Sequence, residues 1–455
     1  MLLLFFSSIF AQDILIQNAR LIDARGDMGI HSILISDQII QAIDPQELPP
    51  SIRTIDASNH SVLPGLIDSH VHITMAPGEA YRNETPEERS IRHAHHMRAF
   101  LAMGVTTIVD PGISIQHATI VRQLQATTPS PNIFFIGPLL GPHEGYPSNV
   151  VSELPGVSDL EEIQARIDEF ASFAPLGIKV TMEDGPLMST LPLFSPDLQS
   201  QIQREAKKRN QPLYIHATDV KSVSLALDMK PHALVHSPHK YNKKLVQRII
   251  EQDVYVCSTI DIFAISLEYW NPNYLSNPTF RKVVPADELD ALTDPKIRRD
   301  FVDEGWKANA PGWPLWIGRL LFQKWIVNMY VNEGFKMFRA LHQAGAKIVL
   351  GSDSSGWPLI PYLLHGPSTH YEIDLLHHAG LSPQEIITAG TQTPAKMLGI
   401  EDRVGSLEIG KTADLLIVEG NPLENLATIH QPVWVMRAGR IQKAEDWLTV
   451  EKTSK

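Results

Sequence analysis

Six side chains that can bind a metal ion lie in or just beyond segments that read as buried strands: His70, His72, Lys179, His216, His236 and Asp353. His70 and His72 are two residues apart, so on an extended strand both imidazoles point to the same face. One ion could therefore bind both rings. A pair of histidines is weak evidence alone, since the chain contains 19 of them, and the other four residues strengthen it.

Lys179 is an unusual member of this set because a protonated lysine repels a metal ion. It lies in the middle of an apolar stretch, residues 177–180. Buried beside cations, its amine would lose the proton, and a neutral amine can react with carbon dioxide to give a carbamate. The two carbamate oxygens could bridge two metal ions about 3.5 to 4 Å apart. The alternative is a lysine whose ammonium reaches solvent.

The remaining candidates each follow an apolar run. His216 and His236 end two successive strand-like segments, and Asp353 comes just after a third. An unpaired carboxylate would be costly there, and a metal ion would satisfy it. The set predicts a hydrolase with two divalent ions. Zinc is the default for imidazole and oxygen ligands, with manganese, cobalt and iron as alternatives.

Composition limits the partners. The formal net charge is −12, and no basic run is present that could neutralise phosphates, which argues against nucleic acid or an anionic membrane. A small-molecule substrate fits better, and a homo-oligomer remains open. Cys257 is the single cysteine, so an intrachain disulfide and a thiolate metal cluster are excluded.

The first residues, 1–12, resemble the apolar part of a secretory signal and are too short to span a bilayer. We expect export to the periplasm or the extracellular space on this basis. The basic leader of such a signal is missing, so either the true start lies upstream of Met1 or the segment is an apolar N-terminal strand. In the latter case the protein would be cytoplasmic.

The order of the predicted elements favours an α/β fold. Eight strand-like segments alternate with helices across residues 64–399, which predicts a closed (β/α)8 TIM barrel. An open, doubly wound sheet could not bring the ends of strands one, four, five, six and eight to one point. β-like residues 13–63 and 400–445 flank this region. They predict a small, discontinuous β-sandwich domain into which the barrel is inserted.

Two further features are predicted from the pattern alone. A long connection between the seventh and eighth strands, residues 261–334, is typical of a lid or binding element. Packing of a helical subdomain or a subunit contact is an equal alternative. Three histidines of the first barrel helix, His93, His95 and His96, are expected to be exposed to solvent.

Segments 64–72, 104–107, 350–353 and 405–415 resemble the metal-dependent amidohydrolase superfamily. The lysine of the fourth strand, Lys179, is similar to that of an imidazolonepropionase-like branch. That branch includes metal-dependent prolidases, Xaa-Arg dipeptidases and ochratoxinase. The likeness covers nearly the whole chain after the leader.

The resemblance implies a role for each residue. His70, His72 and Asp353 would bind the more buried ion, His216 and His236 the more exposed one, and carboxylated Lys179 would bridge both. A hydroxide between the metals would attack the scissile carbonyl, and Asp353, the catalytic residue, would transfer its proton to the leaving nitrogen.

The resemblance also makes His143 a candidate for binding substrate or stabilising the oxyanion. It follows the third strand, where relatives have a glycine-rich loop with a histidine. Here Pro142 and Glu144 replace glycines. The stretch 181–185 likewise differs from the peptidase members, which weakens any transfer of their substrate.

The leading functional prediction is hydrolysis of an amide C–N bond in a small substrate, such as a dipeptide or an N-acyl amino acid. The alternative is hydrolysis of a cyclic amide, a lactone or a phosphoester on the same binuclear centre. A non-catalytic scaffold, as in dihydropyrimidinase-related proteins, is the third candidate. Such scaffolds have lost ligands, and here all six positions are filled.

Overall fold

A computed structural model describes residues 13–76, 83–149, 154–185, 190–267, 276–309, 312–321, 324–355 and 362–449. The predicted signal segment, 1–12, lies outside the described residues. In the part of the chain that the structure describes, no helix is long and apolar enough to cross a membrane.

The described strands are β1 (Ile14–Asp23), β2 (Gly26–Ser36), β3 (Ile39–Ile43), β4 (Arg53–Asp56), β5 (His60–Pro64), β6 (Leu66–Asp68), β7 (Val105–Asp110), β8 (Asn132–Phe135), β9 (Leu139–Leu140), β10 (Ile178–Thr181), β11 (Leu213–His216), β12 (Ala233–Leu234), β13 (Tyr255–Cys257), β14 (Lys347–Val349), β15 (Leu415–Glu419), β16 (Pro432–Arg437) and β17 (Arg440–Lys443).

The described helices are α1 (Pro86–Ala102), α2 (Ile115–Gln125), α3 (Leu160–Phe170), α4 (Pro196–Lys208), α5 (Val220–Asp228), α6 (Lys243–Glu251), α7 (Asp261–Ala264), α8 (Pro278–Val283), α9 (Ala286–Thr293), α10 (Pro295–Asn309), α11 (Leu315–Leu321), α12 (Lys324–Gln343), α13 (Pro367–His378), α14 (Pro383–Ala389) and α15 (Gln392–Leu398).

The two ends of the chain share one eight-stranded sheet. Its strands run in the order β17, β16, β15, β5, β1, β2 and β3, with β4 paired to β1. Strand β15 pairs antiparallel with β5, so the C-terminal strands rejoin the N-terminal ones as the sequence predicts. Alternating residues such as Ile14, Ile16 and Ile33 are buried on one face of this sheet. Burial of that face stabilises the sheet.

Between these strands lies the barrel. Strands β6, β7 and β8 are parallel neighbours, and β9 to β14 form a second parallel set. The ring closes where the Ser69 amide donates to the Leu350 carbonyl at 2.9 Å and the Gly137 amide donates to the Gly177 carbonyl at 2.9 Å. Strands β8 and β9 together form the third of the eight barrel strands. The predicted (β/α)8 barrel is therefore confirmed.

Residues 85–88 determine where helix α1 begins. The Thr85 side chain accepts a hydrogen bond from the Glu88 amide, and the Glu88 carboxylate accepts one from the Thr85 amide, with Pro86 at the first helical position. These contacts form a capping box. The helix begins where that motif places it.

The histidines of α1 are a correction to the sequence analysis. His93 and His96 are each only 1% exposed, not solvated as expected. His96 Nε2 lies 2.8 Å from Oε1 of Glu288 on α9, and His95 Nε2 donates to the Val283 carbonyl at 2.8 Å. The long connection after the seventh strand packs on α1 and covers it. Nothing within α1 itself reveals that partner.

The same connection also packs on itself. A side chain at Gly318 on α11 would meet the Trp306 ring of α10 at 2.2 Å, so the absence of a Cβ lets the two helices approach. Trp313 and Trp316, in contrast, are 48% and 64% exposed. Both sequence interpretations of this connection stay open.

Candidate metal centre

His70 and His72 follow the first barrel strand, β6, and their ring centroids lie 5.3 Å apart. Asp68, the last residue of β6, fixes this segment. Its Oδ1 accepts hydrogen bonds from the His70 amide at 3.2 Å and the Ser352 amide at 3.0 Å, and its Oδ2 accepts one from the Ser352 hydroxyl at 2.6 Å. This carboxylate therefore joins the end of the first strand to the segment that carries Asp353.

Asp353 places a carboxylate against both imidazoles. Its Oδ1 lies 3.2 Å from Nε2 of His70 and 3.1 Å from Nε2 of His72. One ligand atom from each of the three residues lies within 4.8 Å of the others. The backbone of Asp353 has a φ of +46°, a conformation that costs about 1–3 kcal/mol and is concentrated at functional sites.

The hydrogen bonds of His70 show which ring nitrogen is free. Its Nδ1 lies 2.9 Å from the Val235 carbonyl oxygen, which only accepts, so Nδ1 carries the proton and Nε2 presents a lone pair to Asp353. Oδ1 of Asp353 is buried and accepts no well-aligned hydrogen bond from the described residues. Two electron-rich atoms at this distance repel unless a cation lies between them. The residues fit a divalent ion.

The pKa values of the three residues give their protonation states before an ion binds. Burial lowers the pKa of His70 well below its ordinary value, so its ring is neutral. Burial also opposes the His72 imidazolium, but Asp353 and Asp110 outweigh it and raise the pKa of His72. Burial raises the pKa of Asp353, yet the two histidines outweigh it and the pKa falls below its ordinary value. A metal ion that binds here would release the His72 proton.

Lys179 lies on β10 with its side chain turned into the protein, since the residue is only 3% exposed. Burial lowers the pKa of its amine to about 7, although the charges of Asp353 and Asp110 favour the ammonium. An amine with this pKa is substantially neutral at neutral pH. The interpretation in which the ammonium reaches solvent therefore does not match its burial.

The imidazole ring of His236 lies beside that of His70, and the ring of His216 lies beside that of His236. The centroid of His236 lies 4.6 Å from that of His70 and 4.5 Å from that of His216. Burial, followed by the neighbouring rings, lowers the pKa of His236 well below its ordinary value. Among the described residues, the 4.8 Å group contains only His70, His72 and Asp353. His236 lies beside His70 of that group and His216 lies beside His236, while Lys179 is on β10, the strand that pairs with β11.

The loop after the third barrel strand places His143 and Tyr146 differently. His143 is exposed. Tyr146 turns inward and stacks on His216, with 4.7 Å between ring centroids and 29° between ring planes. Its carbonyl accepts a hydrogen bond from the Thr181 hydroxyl at 2.5 Å. Of the two side chains, Tyr146 is the one in contact with a predicted metal ligand.

Two buried carboxylates were missed by the sequence reasoning. Asp110, the last residue of β7, lies 3.8 Å from Nδ1 of His72 and accepts from the Ile73 amide at 3.1 Å. Burial raises its pKa to about 6. Asp68 shares the two-residue spacing of His70 and His72. An aspartate at the carboxyl end of an apolar barrel strand was the signal that could have identified both.

The fold and this site agree with a family match. Residues 61–241 and 325–441 match the model of the amidohydrolase family. The chain therefore belongs to the amidohydrolase family. The members of this family are hydrolytic enzymes, and the resemblance described from the sequence is confirmed.

Curated relatives match more partially. A dihydroorotase from Anaeromyxobacter dehalogenans is 24% identical over 207 residues, which cover 45% of this chain and 42% of the relative. An imidazolonepropionase from Symbiobacterium thermophilum is 34% identical over 89 residues, covering 19% of this chain and 20% of the relative. The chain thus spans less than half the length of these relatives.

Solved structures resemble the whole fold. A Xaa-Pro dipeptidase with bound methionine is 22% identical, with a TM-score of 0.72 over 95% of this chain and 100% of that one. Ochratoxinase of A. niger is 18% identical, with a TM-score of 0.70 over 95% and 96% of the two chains. At these identities the likeness concerns the fold.

Proposed function

We propose that this protein is a metal-dependent hydrolase that cleaves an amide C–N bond in a small substrate, such as a dipeptide or an N-acyl amino acid. The observation that carries the proposal is the contact of Asp353 Oδ1 with two imidazole nitrogens at 3.2 and 3.1 Å. Family membership and the fold of the dipeptidase neighbour support it.

His70, His72 and Asp353 would hold one divalent ion, and His216 and His236 would hold a second. Lys179, carboxylated by carbon dioxide, would contribute one oxygen to each. Zinc is the metal we expect, because it accepts imidazole and carboxylate ligands readily. The ions would activate a water molecule at neutral pH and polarise the scissile carbonyl.

The side chains of this chain would handle the proton and the substrate. Asp353 would accept a proton from the attacking water and give it to the leaving nitrogen, because its carboxylate is buried at the centre of the site. Tyr146 would help to exclude water, since its ring covers His216. His143, exposed on the same loop, would contact the outer end of the substrate.

A second candidate is hydrolysis of a cyclic amide. It is favoured by the relatives named dihydroorotase, imidazolonepropionase and allantoinase. The names differ among relatives while the fold is shared, so the class of bond must be tested directly.

A substrate panel tests both candidates. The zinc-loaded protein is assayed with dipeptides, N-acyl amino acids, dihydroorotate, hydantoins and lactones, beside the metal-free protein as a control. We expect metal-dependent hydrolysis of one or more linear amides. Turnover confined to cyclic amides would favour the second candidate. A protein that binds metal and hydrolyses none of these compounds would contradict both.

A further inference from the structure

Glu183 is a buried carboxylate beside the candidate metal centre that no predicted role uses. It follows β10 at the carboxyl end of the barrel, and its side chain is only 9% exposed. Its Oε2 accepts a hydrogen bond from the Thr218 hydroxyl at 2.8 Å and lies 3.4 Å from Nε2 of His216. Among the described residues, none donates a hydrogen bond to its Oε1. One carboxylate oxygen is thus left for a ligand.

The charge of Glu183 has no permanent positive partner among the described residues. The neighbouring Asp184 does have one, because its Oδ2 lies 2.7 Å from the Lys221 ammonium. Glu183 is therefore a buried carboxylate whose protein partners are a hydroxyl and an imidazole. Anions are rarely left so without a cationic ligand.

Two tyrosines lie next to the residues that contact this carboxylate. Tyr146 stacks on His216 from the loop after the third strand. Tyr330, from α12, lies with its hydroxyl 2.6 Å from Nδ1 of His239. Tyr330 is 50% exposed, and the amide of its partner His239 donates to the Thr218 carbonyl at 2.9 Å, so both tyrosines adjoin residues that contact Glu183. Ring faces and a carboxylate are the groups that bind an organic cation.

We propose that Glu183, with Tyr146 and Tyr330, forms a subsite for a cationic nitrogen of the substrate. This inference rests on the proposed amide hydrolysis and narrows it. Because Glu183 contacts the predicted ligand His216, the cation must lie close to the scissile bond. The α-ammonium of an aminoacyl group is two bonds from that carbonyl carbon. A dipeptide with a free amino group is thus favoured over an N-acyl amino acid.

The competing explanation is that Glu183 only orients His216, as carboxylates often orient metal-binding histidines. In that role its removal would weaken metal binding and would slow all substrates alike. A cation subsite would instead make the loss depend on the charge of the substrate. The two roles are therefore separable by comparing matched substrates and by measuring bound metal.

The test uses Glu183→Gln with three substrates: alanyl-leucine, N-formyl-alanyl-leucine and N-formyl-alanyl-arginine. We expect the wild type to cleave alanyl-leucine or N-formyl-alanyl-arginine, which each carry a cation, faster than N-formyl-alanyl-leucine, which carries none. For the preferred cationic substrate the variant should lose about 10- to 100-fold in kcat/KM, the worth of one charge-assisted hydrogen bond. The neutral substrate should change less than threefold. The arginine substrate distinguishes a basic side chain from an α-ammonium as the source of the cation.

Asp184→Asn is the matched control, because it removes the adjacent carboxylate that Lys221 already pairs. It should leave the preference unchanged, and Glu183→Asp, which keeps the charge, should retain part of it. Equal losses for charged and neutral substrates, together with fewer bound metal ions, would overturn the subsite. So would a wild type that cleaves all three compounds at similar rates. A wild type that cleaves no linear amide would instead refute the proposed function.

Discussion

Asp353 is the residue on which the chemistry of the site converges. Its Oδ1 faces the unprotonated Nε2 of His70 at 3.2 Å, and its backbone is held at a φ of +46°. The fold maintains this arrangement despite its cost, because Asp68 fixes the adjacent Ser352 through two hydrogen bonds. A ligand role and a proton-transfer role for Asp353 are both compatible with that geometry, and a variant separates them.

Asp353→Asn should reduce kcat by about two to four orders of magnitude, the usual contribution of a positioned acid or base. Most of the bound metal should remain, because the histidines still provide ligands. Steady-state kinetics and elemental analysis of the same preparation measure the two effects. Asp228→Asn, at an exposed carboxylate paired with Arg248, is the control. Turnover near the wild-type rate would show that another residue transfers the proton.

Lys179→Ala should abolish activity, because the carbamate that would bridge two ions cannot form. A short carboxylic acid added with zinc should restore part of that activity by occupying the space of the missing side chain. Assays with and without the acid, at equal metal content, measure the rescue. An untreated variant with full activity would remove Lys179 from the site.

Carboxylation of Lys179 should also depend on pH in the metal-free protein. Burial lowers the pKa of the amine to about 7, and only the neutral amine reacts with carbon dioxide. The neutral fraction rises from about one tenth at pH 6 to about nine tenths at pH 8. At fixed dissolved carbon dioxide, reactivation by zinc should accelerate about tenfold over that range. A rate independent of pH would contradict this.

At the scale of elements, the barrel was predictable because strand and helix patterns alternate regularly. Strand β7, Val105–Asp110, is buried at every position, as its run of apolar and β-branched residues indicates. The eighth barrel strand, β14, ends at Val349, before Asp353. The chain then bends where Asp353 adopts a positive φ. Hydrophobic pattern reports burial but not backbone direction, so the sequence could not show this bend.

Substitution of Asp68 tests whether the site needs the hydrogen bonds that join the end of β6 to the segment after β14. Its carboxylate accepts hydrogen bonds from Ser352 and from the Thr369 hydroxyl at 2.6 Å. Asp68→Ala should lower the free energy of unfolding by roughly 3 kcal/mol or more, since each buried donor left unpaired costs about 1–3 kcal/mol. Thr369→Val, which removes one donor, should have a smaller effect. Denaturant unfolding measures the loss of stability, and zinc titration measures any loss of metal affinity. An unchanged zinc affinity would exclude a positioning role for Asp68.

At the scale of the whole molecule, contacts between distant segments were the part that sequence could not supply. The burial of His96 depends on Glu288, which lies 192 residues later in the chain. The rejoining of β5 and β15 was predictable, because both segments carry strand-like patterns that need a partner. The helical connection has no comparable signal, since helices complete their backbone hydrogen bonds internally. Its packing on α1 is specified by contacts between side chains far apart in the chain, such as His96 with Glu288.

The central claim is that this chain assembles a site for two divalent ions. The most direct measurement is the ratio of metal to protein after zinc loading and removal of unbound metal, by elemental analysis. We predict about two ions per chain, because five histidine and aspartate ligands with a carbamate exceed what one tetrahedral ion needs. The ratio should fall to about one or less in Lys179→Ala. A reproducible ratio of one in the wild type, unchanged in that variant, would contradict the account.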